Sequence, residues 1–532
     1  MESTSKASPR ITLHVEAVRS QHQRFNIWKD STFIILCVVT SWVVALLIAG
    51  TAYDFYIQHL KEKRRILAMN CTTYTNPNSL SDKAIKLDMS LSDMKIYNGK
   101  SGFYTVNNNT GSENDSNDDN NNASMQPNSE MSESPENMQL EVKFNKQFVL
   151  CLLRRILLAF SVRVNFNNIF DQTVGSDTIP VIHGLKSISM AWVILGHTCI
   201  IAFKYSDNTE YRKVVQKEFI FQTISNGTFS VDTFFFTSGL LVSFLYFRTN
   251  AKGKLDLPVK RKITGLTTGV MHFFGLLTYR FARLTAPYLF VLGVVEVCMK
   301  WFNYNSVFEP PTIDHINCPK YWWRNVLYVN TLFPVEEMCM LWSWYLSDDT
   351  QFYVLGAILL ILATSHFKSS ASLLLIFMAS SWMTTGYIAF SNSHMPGADD
   401  PLALFDKIYD KPWTRLGPYL IGMGVGWFLF KTNCHIKMSK LTVIVGWLAC
   451  SACLLSLVYG LYEVDLSPIT GAILMAMSMD HPLHLGKGTM IIMFLGQVVA
   501  SYALAFAVSI TFEGPSVSML RILTRLTSSP KK

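Results

Sequence analysis

The chain has 532 residues, of which 49% are hydrophobic and only 16% charged, whereas a soluble domain usually carries about a quarter charged residues. Lys and Arg number 46 against 38 Asp and Glu, no run resembles a nucleic-acid arm, and ten cysteines over this length make no disulfide scaffold. These balances exclude a soluble enzyme, a nucleic-acid-binding protein and a small disulfide-rich module, and they predict an all-α polytopic membrane bundle.

A helix needs about 20 mostly apolar residues to cross the hydrocarbon core. After a short segment, 1–32, the first such run is Phe33–Ala52 within a predicted anchor at 33–54. It lacks a small-residue cleavage site, so it reads as uncleaved. A linker follows at 55–176. Its 66–145 stretch is Asn-, Ser- and acid-rich, too polar to bury a core, and is predicted to be disordered. Its N-x-S/T triplets at Asn70, Asn108, Asn114 and Asn122 are what such composition generates by chance. Residues 147–164 are apolar but interrupted by Arg154 and Arg155, which suits an amphipathic helix lying on the membrane.

Further spans are predicted at 186–203, 229–247, 284–301, 351–366, 371–390, 416–430, 441–460 and 489–512, nine in all, before a basic tail at 513–532. Basic residues collect in 248–283, in 431–440 and in the tail, so these are expected to face the cytosol. The loop 302–350 then falls on the opposite side, where disulfides are permitted. Cys318 and Cys339 in that loop are expected to be either paired or free thiols. Asn226, in "NGT", is the better glycosylation candidate on the same side.

Titratable groups inside spans are costly and default to functional candidates. "IHGLKSISMAWVILGHT" carries Lys186 and, eleven residues on, His197. Eleven residues are close to three helical turns, so the two share a stripe about 16 Å apart along the axis. His197 suits either helix packing or proton transfer. Asp232, in "VDTFFFTSGLLVSFLYFR", is expected level with His197, as an orienting partner or a helix cap. "YRFARLTAPY" places Arg280 and Arg283 on one face, as headgroup anchors or as a phosphate clamp. "WSWYLSDDTQFYV" offers Asp348, Gln351 and Tyr353 as lining for a cavity entrance. Glu296 is an isolated carboxylate without a visible partner. No Walker loop, G-x-G-x-x-G, G-x-S-x-G elbow or metal-ligand motif occurs.

Taken in order, "IHGLKSISMAWVILGHT", "VDTFFFTSGLLVSFLYF", "YRFARLTAPY", "CPKYWWRNVLYVNTLFP" and "WSWYLSDDTQFYV" resemble the membrane acyltransferase-3 family, in its animal, nose-resistant-to-fluoxetine branch. The resemblance runs from about Asp177, giving an expected membrane domain at 177–512. It implies acyl transfer from acyl-CoA to a hydrophobic or hydroxyl-bearing acceptor in the endoplasmic reticulum or plasma membrane, among membrane lipids, with no bound cofactor, metal or nucleic acid. The family's histidine falls on His197, its arginine eleven residues earlier on Lys186 and its R-x-x-R on Arg280 and Arg283, which favours the phosphate clamp; Asp232 is expected to orient His197. In this branch the same proteins are associated with movement of lipids and hydrophobic drugs, which implies a transporter as the alternative, and a non-catalytic truncated isoform as a third reading.

Three departures stand out. Lys186 occupies the family's arginine position. About 30 residues precede Phe33, where the branch commonly has a cysteine-rich luminal domain. "LSPITGAILMAMSMDHPLHLGKG" stands where the family has two more spans, which reads as an internal deletion.

Overall fold

A computed structural model of the chain describes residues 25–72, 149–171, 173, 179–208, 210–215, 218, 221–251, 265–306, 308–392, 404–459 and 487–528. Most of the expected disordered tract, and the shortened region at 460–486, lie outside the described residues. Among the described residues the secondary structure is helical and contains no strand. The main helices are α1 (Ser31–Thr72), α2 (149–159), α3 (Val162–Ile169), α4 (Pro180–Tyr205), α5 (Phe229–Ala251), α6 (Gly265–Asn305) and α7 (Asp314–Val326). They continue as α8 (Trp344–Ser365), α9 (Phe367–Ser391), α10 (Pro412–Lys431), α11 (Lys440–Tyr459), α12 (Lys487–Val508) and α13 (Gly514–Ser528).

Among the described residues, seven helical stretches are long and apolar enough to cross a membrane: Ser31–Ile66, Pro180–Tyr205, Gln222–Ala251, Gly269–Asn305, Leu341–Ser365, Phe367–Ser391 and Met490–Thr524. The chain is therefore a multi-pass membrane bundle. The other two expected spans are α10 and α11, helices of 20 residues each. α10 is diluted by Arg415, Pro418 and its glycines, and it buries Leu416, Tyr419, Leu420 and Met423 while Trp413, Ile421 and Phe428 stay exposed. α11 is apolar, with Leu441, Ile444, Trp447 and Leu448 exposed.

By compactness the chain forms two units, Met1–Thr51 with Ile156–Lys532, and Ala52–Arg155. In the smaller unit the far half of α1 exposes Lys61, Lys63, Arg64 and Arg65. In the larger unit a break at Phe160–Ser161 splits the expected 147–164 helix. There Ser161 caps α3 by accepting from the Val164 N–H at 3.2 Å.

The core of the larger unit is a tight seam between α5 and α10. A Cβ on Gly239 would collide with the Tyr419 carbonyl, and one on Gly422 with the Phe236 carbonyl. Only glycine lets the two backbones approach this closely, the small-residue packing that membrane helices favour. Contacts keep one register along the pair, from Asp232 against Arg415 to Phe247 stacked on Phe430, so the helices run parallel. α8 closes this core through Phe235, Trp344, Phe352 and Tyr419.

α4 and α6 also run parallel, with Lys186 near Arg283 at one end and Tyr205 against Phe302 at the other. α1 is antiparallel to α6. Glu296, isolated in the sequence, accepts from Lys300 at 2.7 Å and from the Thr32 hydroxyl at 2.9 Å, while Lys300 also reaches Asp30 at 2.8 Å. This network anchors the start of α1.

Residues 308–343 fold back onto α6 as a strap. Tyr288 and Leu292 of α6 pack against Cys318, Tyr328, Cys339 and Met340. Irregular backbone beside a spanning helix must satisfy its own polar groups, and the strap does so with buried side chains. Asn325 donates to the Tyr288 hydroxyl at 3.0 Å and to the Cys339 carbonyl at 2.8 Å, and Asn317 donates to the Met338 carbonyl at 3.1 Å. Cys318 and Cys339 are joined by a disulfide.

Candidate functional site

Arg280 and Arg283 do not stand at the entrance of their helix. α6 begins at Gly265, well before the expected span start at 284, because the residues ahead of Arg280 are also apolar and helical. The two arginines therefore lie within the candidate span, and the part of 248–283 from Gly265 onward is helix and not a linker. The Arg280 guanidinium donates to the Asp349 carboxylate and lies over the Tyr353 ring, 4.4 Å from its centroid. Arg283 pairs with Glu513 at 3.1 Å in a half-exposed position.

Lys186 enters the same patch from α4, within Coulombic reach of Asp349 and Arg283. Three cations from two distant segments thus share two carboxylates. A single terminal nitrogen of each arginine is bound to a carboxylate, and the buried Nε of Arg280 has no partner among the described residues. Guanidiniums with donors in reserve are suited to phosphate oxygens.

His197 is buried on α4, two turns before its end. Its Nδ1 bonds the Val193 carbonyl one turn back. A carbonyl can only accept, so Nδ1 carries the hydrogen and Nε2 keeps the lone pair that a general base requires. The ring is thus oriented by its own helix. Asp232, expected to orient it, instead meets Arg415 through both carboxylate oxygens at 2.9 and 3.1 Å. The parallel α5–α10 register dictates that pairing.

Gln351 and Tyr353, expected to line a cavity entrance, both stand on α8. Gln351 donates to the Tyr328 carbonyl at 3.0 Å and to the Thr331 hydroxyl at 2.9 Å, which fastens the strap to α8. Asp348 is fully buried beside Thr331 and within Coulombic reach of Asp410, Lys411 and Arg415. Asn226 is buried, 6% exposed, so its amide is not presented as a glycan acceptor must be.

An apolar cavity of about 440 Å³ lies between α4, α11 and α12, lined by Ile188, Trp192, Leu195, Leu454, Leu455 and Phe494. At 100° per residue its α4 lining falls on the face opposite His197. It belongs to a different surface from the chemistry.

Asp349, Glu513, Arg415, Asp410 and Lys411 do not stand out in the sequence. Arg415 carries a usable signal, a cation one residue outside an apolar run. Glu513 carries none, since it reaches Arg283 from 230 residues away.

Comparison with known proteins agrees with this architecture. Residues 179–513 match the acyltransferase domain of the acyltransferase-3 family. The chain is similar to Nose resistant to fluoxetine protein 6 of Caenorhabditis elegans, with 28% identity over 363 residues, covering 62% of this chain and 42% of that protein. It therefore spans less than half of that relative's length. No solved structure matches. With the match covering well over half its length, the chain belongs to the membrane acyltransferase-3 family.

Proposed function

We propose that the protein transfers an acyl group from acyl-CoA to a hydroxyl-bearing acceptor within the membrane. One observation carries this reading. Lys186, Arg280 and Arg283 meet in one patch, and the same helix that supplies Lys186 holds His197 about 16 Å further along its axis. That separation suits a cosubstrate whose phosphates bind at one end of an extended arm and whose thioester lies at the other.

In this reaction His197 Nε2 takes the proton of the acceptor hydroxyl as its oxygen attacks the thioester carbon. The carbon–sulfur bond breaks, and the leaving thiolate recovers the proton from the imidazolium. An ester and free CoA thiol result, and the histidine returns to its starting state. Burial of His197 keeps water from competing as the nucleophile. Arg280 and Arg283 do no chemistry; they hold the phosphates and so fix where the thioester reaches.

The Lys186 end of α4 faces the cytosol in this reading, in the endoplasmic reticulum or plasma membrane, and membrane lipids surround the bundle. The experiment is thioester turnover by the purified protein in lipid discs. His197→Ala is expected to abolish acyl transfer while leaving acyl-CoA binding intact, and Arg283→Ala to weaken binding about tenfold or more, as loss of a charge-assisted phosphate contact does. Unchanged turnover in His197→Ala removes the histidine from this role. The name of the relative, resistance to fluoxetine, favours keeping one alternative: accumulation of a hydrophobic small molecule in vesicles without thioester consumption identifies a transporter.

A further inference from the structure

Across α8 from the cationic patch lies a second charged site that acyl transfer does not use. Asp348 is fully buried, and among the described residues the Thr331 hydroxyl is the one hydrogen-bonding group beside its carboxylate, short of full hydrogen-bond geometry. Asp410 is fully buried too, and its Oδ1 has no hydrogen-bond partner among the described residues. Both cations nearby are already engaged. Lys411 donates to Asp406 at 2.8 Å, to Asp410 Oδ2 at 3.3 Å and to the Phe333 carbonyl at 3.1 Å. Arg415 is held bidentately by Asp232 and also donates to the Tyr409 carbonyl at 3.0 Å.

The charges do not balance when every group is ionised. Among the described residues, Asp232, Asp348 and Asp410 face only Lys411 and Arg415, and Asp406 at the half-exposed rim adds a further negative charge. The remaining polar neighbours are Tyr409, whose hydroxyl is buried and unbonded, and Thr331 of the strap. An unpaired carboxylate in such surroundings costs several kcal/mol, and the usual resolution is to keep the group neutral.

We propose that Asp348 and Asp410 form a proton-binding site that holds one proton between them at neutral pH. The ligand is the proton itself, and two interacting carboxyls titrate as a pair, not as separate acids. Desolvation, reinforced by Asp406 and opposed by Lys411, pushes the Asp410 acid up to about 7, which agrees with the charge count. Loss of the proton leaves an excess negative charge one residue from Asp349, the carboxylate that holds Arg280. The site is independent of whether His197 acts as a base.

The test is infrared spectroscopy of the full chain in lipid discs, titrated from about pH 5 to about pH 9 and read in the stretch of protonated carboxyl groups. The measurement uses an Asp314→Asn background, because Asp314 is a second buried acid. A band that is present at neutral pH, disappears as pH rises and is lost in Asp348→Asn/Asp410→Asn supports the site. Its absence from the parent at neutral pH overturns the proposal, as does its persistence in the double variant. Should the double variant fail to fold, the parent spectrum alone decides: a band titrating near neutrality supports the pair, and no such band rejects it.

Discussion

Asp348 and Asp349 are consecutive residues of α8, yet they serve regions of opposite sign. Asp349 turns toward Lys186, Arg280 and Arg283, where cations outnumber carboxylates and donors are left over. Asp348 turns toward Asp410, Lys411 and Arg415, where carboxylates outnumber cations and acceptors are left over. Successive helical side chains diverge by about 100°, so a single step along α8 separates the cation-rich patch from the carboxylate-rich one. In the proposals made above, the excess in each region sets the kind of ligand it would take. A fully paired network would only hold the helices together.

The first way to break this contrast is to remove the ion pair at the head of the α5–α10 seam, beside the carboxylate-rich region. Arg415→Gln leaves the Asp232 carboxylate without its bidentate partner at the head of the α5–α10 seam. Removing one member of a buried pair typically costs about 3–5 kcal/mol, and the partial exposure of Asp232 puts this case near the lower limit. Thermal unfolding in detergent is expected to show a larger loss than substitution of Asp349, Asp348 or Asp314 produces. A melting temperature equal to the parent's would show that the seam glycines alone fix the register.

A smaller effect separates the two neighbouring carboxylates directly. Asp349→Asn deprives Arg280 of its counter-charge and is expected to destabilise by about 1–3 kcal/mol, the usual cost of losing a charged hydrogen bond. Asp348→Asn replaces one carboxyl of the proton-sharing pair by a neutral amide, breaks no ion pair and is expected to be neutral or slightly stabilising. Equal melting temperatures for the two variants would erase the distinction between the regions.

Much of this is legible in the sequence, and the reason differs by residue. Lys186 and His197 fall on one helix as their spacing predicts, because helical spacing is a local property and α4 is regular throughout. The family resemblance points to Arg280 and Arg283 but not to their depth, since their charge suggests an interface where the helix in fact continues back to Gly265. Asp232 has a different partner from the expected one. Its contact with Arg415 depends on Gly239 and Gly422 letting α5 and α10 come together, and glycine spacing on one helix does not announce which second helix fits it. The strap is invisible in the sequence for a similar reason. Asn325 and Asn317 read as ordinary loop polarity, and Gln351 as cavity lining, until the chain folds back on α6 and each amide meets a carbonyl.

The smallest expected effect lies in that strap, and it tests whether buried carboxyls outside the two charged regions behave differently. Asp314, at the start of α7, accepts from the Met340 N–H at 2.7 Å and thereby holds the left-handed turn before α8. Burial pushes its acid up to about 6, against the lowering effect of its bonds with Thr312 and Met340. A carboxyl whose acid is raised on folding is protonated in the folded chain over a range where the unfolded chain is already ionised. Its contribution is therefore fully present below about pH 4 and is lost as pH rises through about 6. Asp314→Asn retains an oxygen acceptor for Met340 and cannot ionise. Melting measured between about pH 4 and about pH 7 is expected to fall less steeply with rising pH in this variant than in the parent. Parallel pH profiles would mean that Asp314 stays ionised in the fold, and that the strap is held by the disulfide and the amide bonds without any contribution from a buried acid.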